Sequence, residues 1–438
     1  MPAFRSFFRR PDDQVFAEVE QSIPEAAPFD VEAERRETLL NLRRRLAETF
    51  TPARPLAGFK VASSSGDSKV SFVGREDECL RITRALFEDR SHVVIFGERG
   101  RGKTSLANLV AEGAGTASFT IARYVCSASS DFDAIMRGLF GDMPHWLFGI
   151  NRAAYNNGDS AAGLLPSRPL QPSDVPAICG RLIGKIIMLV DEFDRVTDED
   201  TRTSVADTIK QLSDLGIPVL FLIIGVSDSP EALLGRHPSI QRCVTRVPLP
   251  LLKSAQVEQI VERGAAQSGL NFSPAARTCI AELARGVPYM AQLLSLRAGQ
   301  AALDNGRTTI LGSDLLAAIE AAAIEADPHI LNLYDLATNT ERDVPALSVL
   351  RAAAAGSQDD LGRFQAVPDG VSVRVAGLRA DRAAWQRVLN VGAIQPVRGG
   401  GPDLFTFSEA MLLQLVLLRT VLSRKAAPQK APANPGPT

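Results

Sequence analysis

Cysteine is scarce in this sequence and arranged for nothing. The five residues, Cys79, Cys126, Cys179, Cys243 and Cys279, are odd in number and show no C-x-x-C spacing. That excludes a disulfide framework and a thiolate zinc site, and it fits buried thiols in a reducing compartment. A long apolar run is missing too. Pro218 to Val226 is the most hydrophobic stretch, far short of the roughly 20 residues needed to cross a bilayer. The first ten residues set Arg5, Arg9 and Arg10 around Phe4, Phe7 and Phe8. They lack the continuous apolar centre of a secretory signal, and read as a short arm that docks or dangles, or as a membrane or partner anchor. A cytoplasmic location is expected. Nor is there an excess of one charge: 48 Lys and Arg stand against 50 Asp and Glu, a net of −2. This excludes a wholesale polyanion binder but leaves room for one local basic face.

What is present is an ordinary globular composition in 438 residues, enough for two to four domains. Residues 1–68 read as an extension, with a helix from Val31 to about Phe50 carrying Leu39, Leu42, Leu46 and Phe50 near helical spacing, then a Pro/Ala/Ser/Gly linker. Residues 69–250 alternate short β-branched runs (His92–Phe96, Phe119–Cys126, Ile186–Val190, Val219–Ile224, Val244–Leu249) with helical segments such as Lys103–Glu112 and Asp200–Leu215. Such alternation predicts an α/β domain with a parallel sheet covered by helices on both faces. Its ligand edge is then the C-terminal ends of the strands. Gly141 to Val175 interrupts the rhythm and reads as an insertion or long loop. Residues 251–325 read as a small helical domain. In residues 326–425, Val344–Ala354 and Val375–Val391 look helical, Val391–Phe407 looks like a hairpin through Gly399-Gly400-Gly401, and Ser408–Leu422 closes as an apolar helix. Helices followed by a Gly-tipped hairpin predict a winged helix. Residues 426–438, rich in Ala and Pro, are expected to be a disordered tail.

The sharpest motif is Gly97-Glu98-Arg99-Gly100-Arg101-Gly102-Lys103-Thr104, with Ser105 next, set between a strand and a helix. Glycines let the backbone wrap so that its N–H groups point at a phosphate, and the helix presents its positive end there. In that arrangement Lys103 reaches the β- and γ-phosphates and the Thr104 hydroxyl ligates Mg²⁺. Downstream, the apolar strand Ile186–Val190 delivers Asp191 and Glu192 to the same sheet edge. Asp191 would hold Mg²⁺ and Glu192 would polarise an attacking water, while Asp194 and Arg195 would brace the turn. After Val219–Ile224, Ser227 or Asp228 could sense the γ-phosphate, or cap a helix. Arg236, Arg242 and Arg246 follow; Arg242 is the best placed to reach a neighbouring copy's γ-phosphate, with a surface ion pair as the plainer role.

With these residues in hand, the chain resembles the AAA+/STAND group of P-loop ATPases, near its origin-recognition-like branch. The resemblance covers Phe72 to about Ala323 and, more weakly, the winged-helix region. Phe72-Val73-Gly74-Arg75-Glu76 resembles the element with which such ATPases begin, implying that Val73 and Arg75 approach the adenine. Gly97–Thr104 and Ile186–Glu192 match the Walker A and Walker B motifs. Arg285-Gly286-Val287-Pro288-Tyr289 resembles the G-x-P element, implying that Pro288 packs near the base. Many AAA+ proteins carry a second-sensor Arg where Tyr289 stands here, and its loss implies a slow switch rather than a fast motor.

The resemblance implies ATP and Mg²⁺ as cofactors and an ATPase whose nucleotide state moves the lid and winged helix. It also implies partner engagement: a protein effector, or nucleotide-dependent association with further copies. A DNA-loading ATPase is the second reading, with Arg379, Arg382 and Arg387 on a recognition helix around Leu378–Leu389 and Arg398 before the hairpin tip. Asp359, Asp360, Asp369, Asp381 and Asp403 in the same unit dilute any basic stripe, and Trp385 reads as core. The third reading is a weakly hydrolysing, nucleotide-gated scaffold in signalling or phage defence.

Overall fold

A computed structural model describes residues 31–50, 73–149, 160–235, 240–369, 371–397 and 400–426. Helix α1 (Val31–Phe50) comes first, then α2 (Glu76–Phe87), β1 (His92–Phe96), α3 (Lys103–Thr116), β2 (Phe119–Val125) and α4 (Phe132–Gly141). Short 3₁₀ turns at His145–Phe148 and Ala161–Leu164 fall in the interrupted stretch, followed by α5 (Asp174–Cys179) and β3 (Lys185–Asp191). The domain ends with α6 (Glu199–Asp214), β4 (Val219–Gly225), α7 (Pro230–Leu234) and β5 (Val244–Pro248).

The five strands form one parallel sheet in the order β2-β3-β4-β1-β5. Their continuous hydrophobicity has a direct cause. Ile186, Met188 and Val190 of β3 enter a core on one face, while Ile187 and Leu189 enter a second core on the other. Strand β4 does the same, with Val219, Phe221 and Ile223 on one side and Leu220, Leu222 and Ile224 on the other. A period-2 chain between two helical layers needs apolar side chains at every position.

The chain continues through α8 (Ser254–Ser268), β6 (Asn271–Phe272), α9 (Pro274–Ala284), α10 (Pro288–Asp304), β7 (Thr309–Ile310) and α11 (Gly312–Ile324). Strands β6 and β7 pair in parallel. Helix α1 is no free extension: Leu42, Leu46 and Phe50 belong to the core of this helical lid. The seat is cut for it, because a Cβ on Gly264 would stand 2.1 Å from Phe50 Cζ and one on Gly299 2.6 Å from Leu46 Cδ1.

The last unit is α12 (Pro328–Thr338), α13 (Val344–Ala355), β8 (Phe364–Asp369), β9 (Ser372–Val375), β10 (Leu378–Asp381), α14 (Arg382–Val391), β11 (Ile394–Pro396), β12 (Leu404–Phe407) and α15 (Ala410–Ala426). Its strands form an antiparallel sheet in the order β10-β9-β8-β12-β11. The hairpin and final helix stand where expected, but Val375–Val391 is not one helix. Residues 372–381 form a strand pair turned at Ala376-Gly377, where both φ angles are positive, and the helix starts only at Arg382, capped by Asp381. Arg379 therefore lies on β10, not on a recognition helix, and Arg387 is held by Asp343. Trp385 is buried edge-to-face on Phe405, a core residue as its position suggested. The lid and this last unit share a single apolar core. Arg236 and Arg398 lie outside the described residues, as do the expected linker, residues 51–68, and the tail beyond 426.

Candidate nucleotide-binding site

The loop Gly97–Gly102 leaves the C-terminal end of β1 and enters α3. Gly97, Gly100 and Gly102 have φ of 142°, 78° and 87°, left-handed geometry that side chains resist. The first turn of α3 contributes Lys103, Thr104 and the half-buried Ser105. Lys103 is buried, and its Nζ donates to Gly97 O at 2.8 Å and Glu98 O at 2.9 Å. Burial pushes this ammonium down to about 8, opposed first by Asp194 and then by Glu98.

Asp191, at the end of β3, accepts a hydrogen bond from the Thr104 hydroxyl and another, at 2.8 Å, from Glu192 N–H. Burial raises its carboxyl above the ordinary range and the two hydrogen bonds oppose this. A hydroxyl and a carboxylate oxygen in mutual reach, beside a lysine, form the hard-oxygen donor pair that suits Mg²⁺ with a bound phosphate. Thr104 and Asp191 would hold the metal, which would neutralise charge on the phosphates when bound.

Glu192 has a left-handed backbone (φ 53°), and its carboxylate pairs with Arg195 at 2.8 Å on the surface. Asp194 accepts from Val226 N–H at 2.8 Å, tying the ends of β3 and β4 together. Asp194 and Arg195 brace the turn, as their positions suggested. Ser227 Oγ donates to Ser229 O at 2.7 Å and accepts from Ser229 N–H, so it supports the cap of α7. Asp228 is exposed and its charge acts on Glu98 and Arg101. Arg99 is exposed.

Arg75 is buried and its Nη2 donates to Pro250 O at 2.7 Å and Arg101 O at 3.2 Å, which makes it a strut behind the loop. Val73 is buried in the lid core. Arg242 precedes β5, whose first residue pairs with His92 at the far end of β1. It sits on the opposite sheet edge, roughly 15 Å or more from the loop at 3.3 Å per residue, so within one chain it cannot touch the site. Pro288 opens α10, half-buried, and Tyr289 N–H donates to Gly100 O at 3.3 Å.

Sequence reasoning missed what the loop touches behind it. Arg101 is buried and donates from Nη1 to Leu249 O and from Nη2 to Leu361 O, both at 2.9 Å. Leu361 belongs to the last unit. Beside it, Leu251 N–H donates to Asp360 O at 2.7 Å and Arg285 Nη2 to Gly356 O at 2.6 Å. Met411 of α15 stands 3.8 Å from where a Gly100 Cβ would lie. Cys126 N–H donates to Asp191 O, and burial pushes that thiol up to about 12 with three neighbouring carboxylates adding to it. No sequence pattern places residues 356–363 against a loop 260 positions earlier.

The parallel sheet, the glycine loop and the Thr104–Asp191 pair define a P-loop NTPase. A family model, Novel STAND NTPase 1, matches residues 56–298. The chain belongs to that family of novel STAND NTPases. Comparison with curated proteins finds no match. Among solved structures, the chain is similar to the Thermotoga maritima RuvB Holliday junction branch migration motor at 17% identity and a TM-score of 0.43, over 77% of this chain and 92% of that one. It is similar to Cdc6p from Pyrobaculum aerophilum at 15% identity and 0.45, over 83% and 97%. For the Aeropyrum pernix ORC2 protein the values are 15% and 0.47, over 81% and 95%.

Proposed function

We propose that the chain is a Mg²⁺-dependent ATP-binding and ATP-hydrolysing switch whose nucleotide state is passed to the lid and to the last unit, read as a winged helix. The observation that carries this is Arg101. One guanidinium inside the phosphate loop joins Leu249, at the root of the lid, to Leu361 of the last unit. A phosphate in the loop would draw Lys103 from the Gly97 and Glu98 carbonyls and take up backbone N–H groups. Any reshaping of residues 97–102 would then change the bonds that seat the last unit. Glu98, Asp228 and Glu409 also place three carboxylates near the loop, where a γ-phosphate would be repelled more than an ADP terminus. A ligand shifts a conformational equilibrium only by its differential affinity for the two states, and this charge arrangement supplies one.

In this reading Thr104 and Asp191 hold the metal, Lys103 binds phosphate, and Glu192 leaves Arg195 to orient water. Arg242 would serve a second copy. Hydrolysis measured for the wild type, Lys103→Ala and Glu192→Gln tests it. We expect both variants to lose at least tenfold in turnover, with Glu192→Gln still binding ATP; equal turnover in all three would overturn the assignment.

A second reading, DNA engagement by the last unit, is favoured by one feature. Arg374 and Arg379 face each other across β9 and β10, both exposed. Like charges directly opposed destabilise a sheet and form a small anion-attracting patch. DNA binding titrated with salt tests this reading: absence of binding at low salt, with and without ATP, removes it.

A further inference from the structure

The turn after β3 and the end of β4 are built to meet. Glu192 takes a left-handed backbone, φ 53°, and the 3₁₀ turn Phe193–Arg195 follows at once. Phe193 is fully buried in the core beside the sheet, and the half-buried Asp194 turns to β4. Its Oδ1 accepts from Val226 N–H at 2.8 Å. The approach is tight: a Cβ on Gly225 would stand 3.1 Å from Asp194 N and 3.2 Å from Asp194 Oδ1. A side chain at Gly225 would therefore push the carboxylate off its partner. From behind, Arg202 of α6 donates to Val196 O at 2.6 Å and to Ala232 O at 3.2 Å, joining the same two segments again.

What these contacts fix lies at the nucleotide edge. Strand β4 runs between β3, which carries Asp191, and β1, which feeds the phosphate loop. Neighbouring strands lie about 4.8 Å apart, so residues 226–228 emerge between the Asp191 carboxylate and that loop. At their far end Ser227 and Ser229 close the cap of α7. Between the two anchors stands Asp228, whose charge acts on Glu98 and Arg101. We propose that Asp194 is a positioning residue for ATP hydrolysis, clamping Val226 so that residues 226–228 are held against the phosphate loop beside Asp191. This role rests on the ATPase reading proposed above and adds a residue to it. Asp194 acts through Val226, by a charge-assisted bond to a backbone N–H, a strong kind of single contact. A group misplaced by about 1 Å at a reacting centre can cost on the order of a hundredfold in rate. The clamp also links Asp191, three residues upstream, to Asp228 and so to Arg101, which seats the last unit.

Steady-state ATP hydrolysis and hydrogen exchange on the full-length protein test this together. Asp194→Ala should lower kcat at least tenfold. Asp194→Asn keeps an oxygen that accepts from Val226 N–H, and should hold kcat at least fivefold above that of Asp194→Ala. Both substitutions discard the charge that faces Lys103, so any shift in KM is shared and kcat alone separates them. Gly225→Ala should lower kcat at least fivefold by itself and no further in Asp194→Ala, because both act on one contact. Exchange at the Val226 amide should speed up at least tenfold in Asp194→Ala and stay slow in Asp194→Asn. Wild-type kcat in Asp194→Ala would overturn the proposal. So would Asp194→Asn as slow as Asp194→Ala, which would assign the role to charge, or losses that add in the double variant, which would assign the Gly225 effect to another contact. A wild-type protein without turnover would instead remove the ATPase reading, leaving Val226 exchange to decide the clamp.

Discussion

Lys103 shows how function costs stability at a single position. Burial holds its ammonium at about 8, below the ordinary lysine value of 10.5, because two backbone carbonyls replace water incompletely. The unfolded chain binds that proton more tightly, so the stability lost grows as pH falls from 10.5 to about 8 and is fully present at neutrality. Lys103→Met should therefore abolish hydrolysis yet raise the unfolding free energy at pH 7 by about 1–3 kcal/mol, readable by urea titration; a destabilised variant would contradict this. His92 works in the same direction and for the same reason, burial. It is fully buried in the sheet, accepting from Phe221 N–H at 2.8 Å and lying 2.9 Å from Ser213 Oγ, and burial lowers it to about 4. Since the unfolded imidazole protonates near 6.5, stability should fall as pH drops from 6.5 to about 4, by up to about 3 kcal/mol. His92→Gln should lose that component of the pH dependence. If the slopes match those of the wild type, the neutral buried imidazole is the wrong description.

At the scale of elements, the seat of α1 makes a sharp case. Two glycines on different lid helices face Phe50 and Leu46 at distances no Cβ tolerates. Gly264→Val should drive Phe50 from its place, at a cost of about 2–4 kcal/mol from lost burial and overpacking, and let α1 unwind so that trypsin cuts at the exposed Arg43–Arg45; an unaltered digestion pattern would show the helix is not held there. The helix itself was legible from Leu42, Leu46 and Phe50, but not its docking, because glycines 200 residues away carry no periodic signal. The sheet was legible for the opposite reason: continuous apolar strands and a glycine loop are local patterns with one physical solution. The region around Val375 was misread because Val371, Val373 and Val375 alternate over only a few residues before a true helix, and Ala376-Gly377 is a turn rather than a helical step. Within the site, Lys103, Thr104 and Asp191 followed from motif spacing alone. The burial of Arg75 as a strut did not, because its acceptors are backbone carbonyls at positions 101 and 250.

For the whole molecule, the sheet domain, the lid and the last unit meet behind one loop. Arg101 and Arg285 donate to Leu361 and Gly356, and Asp360 accepts from Leu251. The bonds of this seam go to backbone carbonyls, so modest changes in loop shape should loosen residues 356–363, while the apolar core shared with the lid holds the rest of the last unit. In the proposed switch that loosening would open residues 356–363 to a partner, and slow hydrolysis, which the resemblance implies from Tyr289 in place of a second-sensor arginine, would let the open state persist. The most direct measurement is hydrogen exchange at Leu251 and residues 356–363, without nucleotide, with Mg²⁺ and ADP, and with Mg²⁺ and a slowly hydrolysed ATP analogue. The ATP analogue should speed exchange there at least tenfold over ADP in the wild type and change nothing in Lys103→Ala. Exchange that is the same in all three conditions, or that responds equally in Lys103→Ala, would contradict a nucleotide switch built on Arg101.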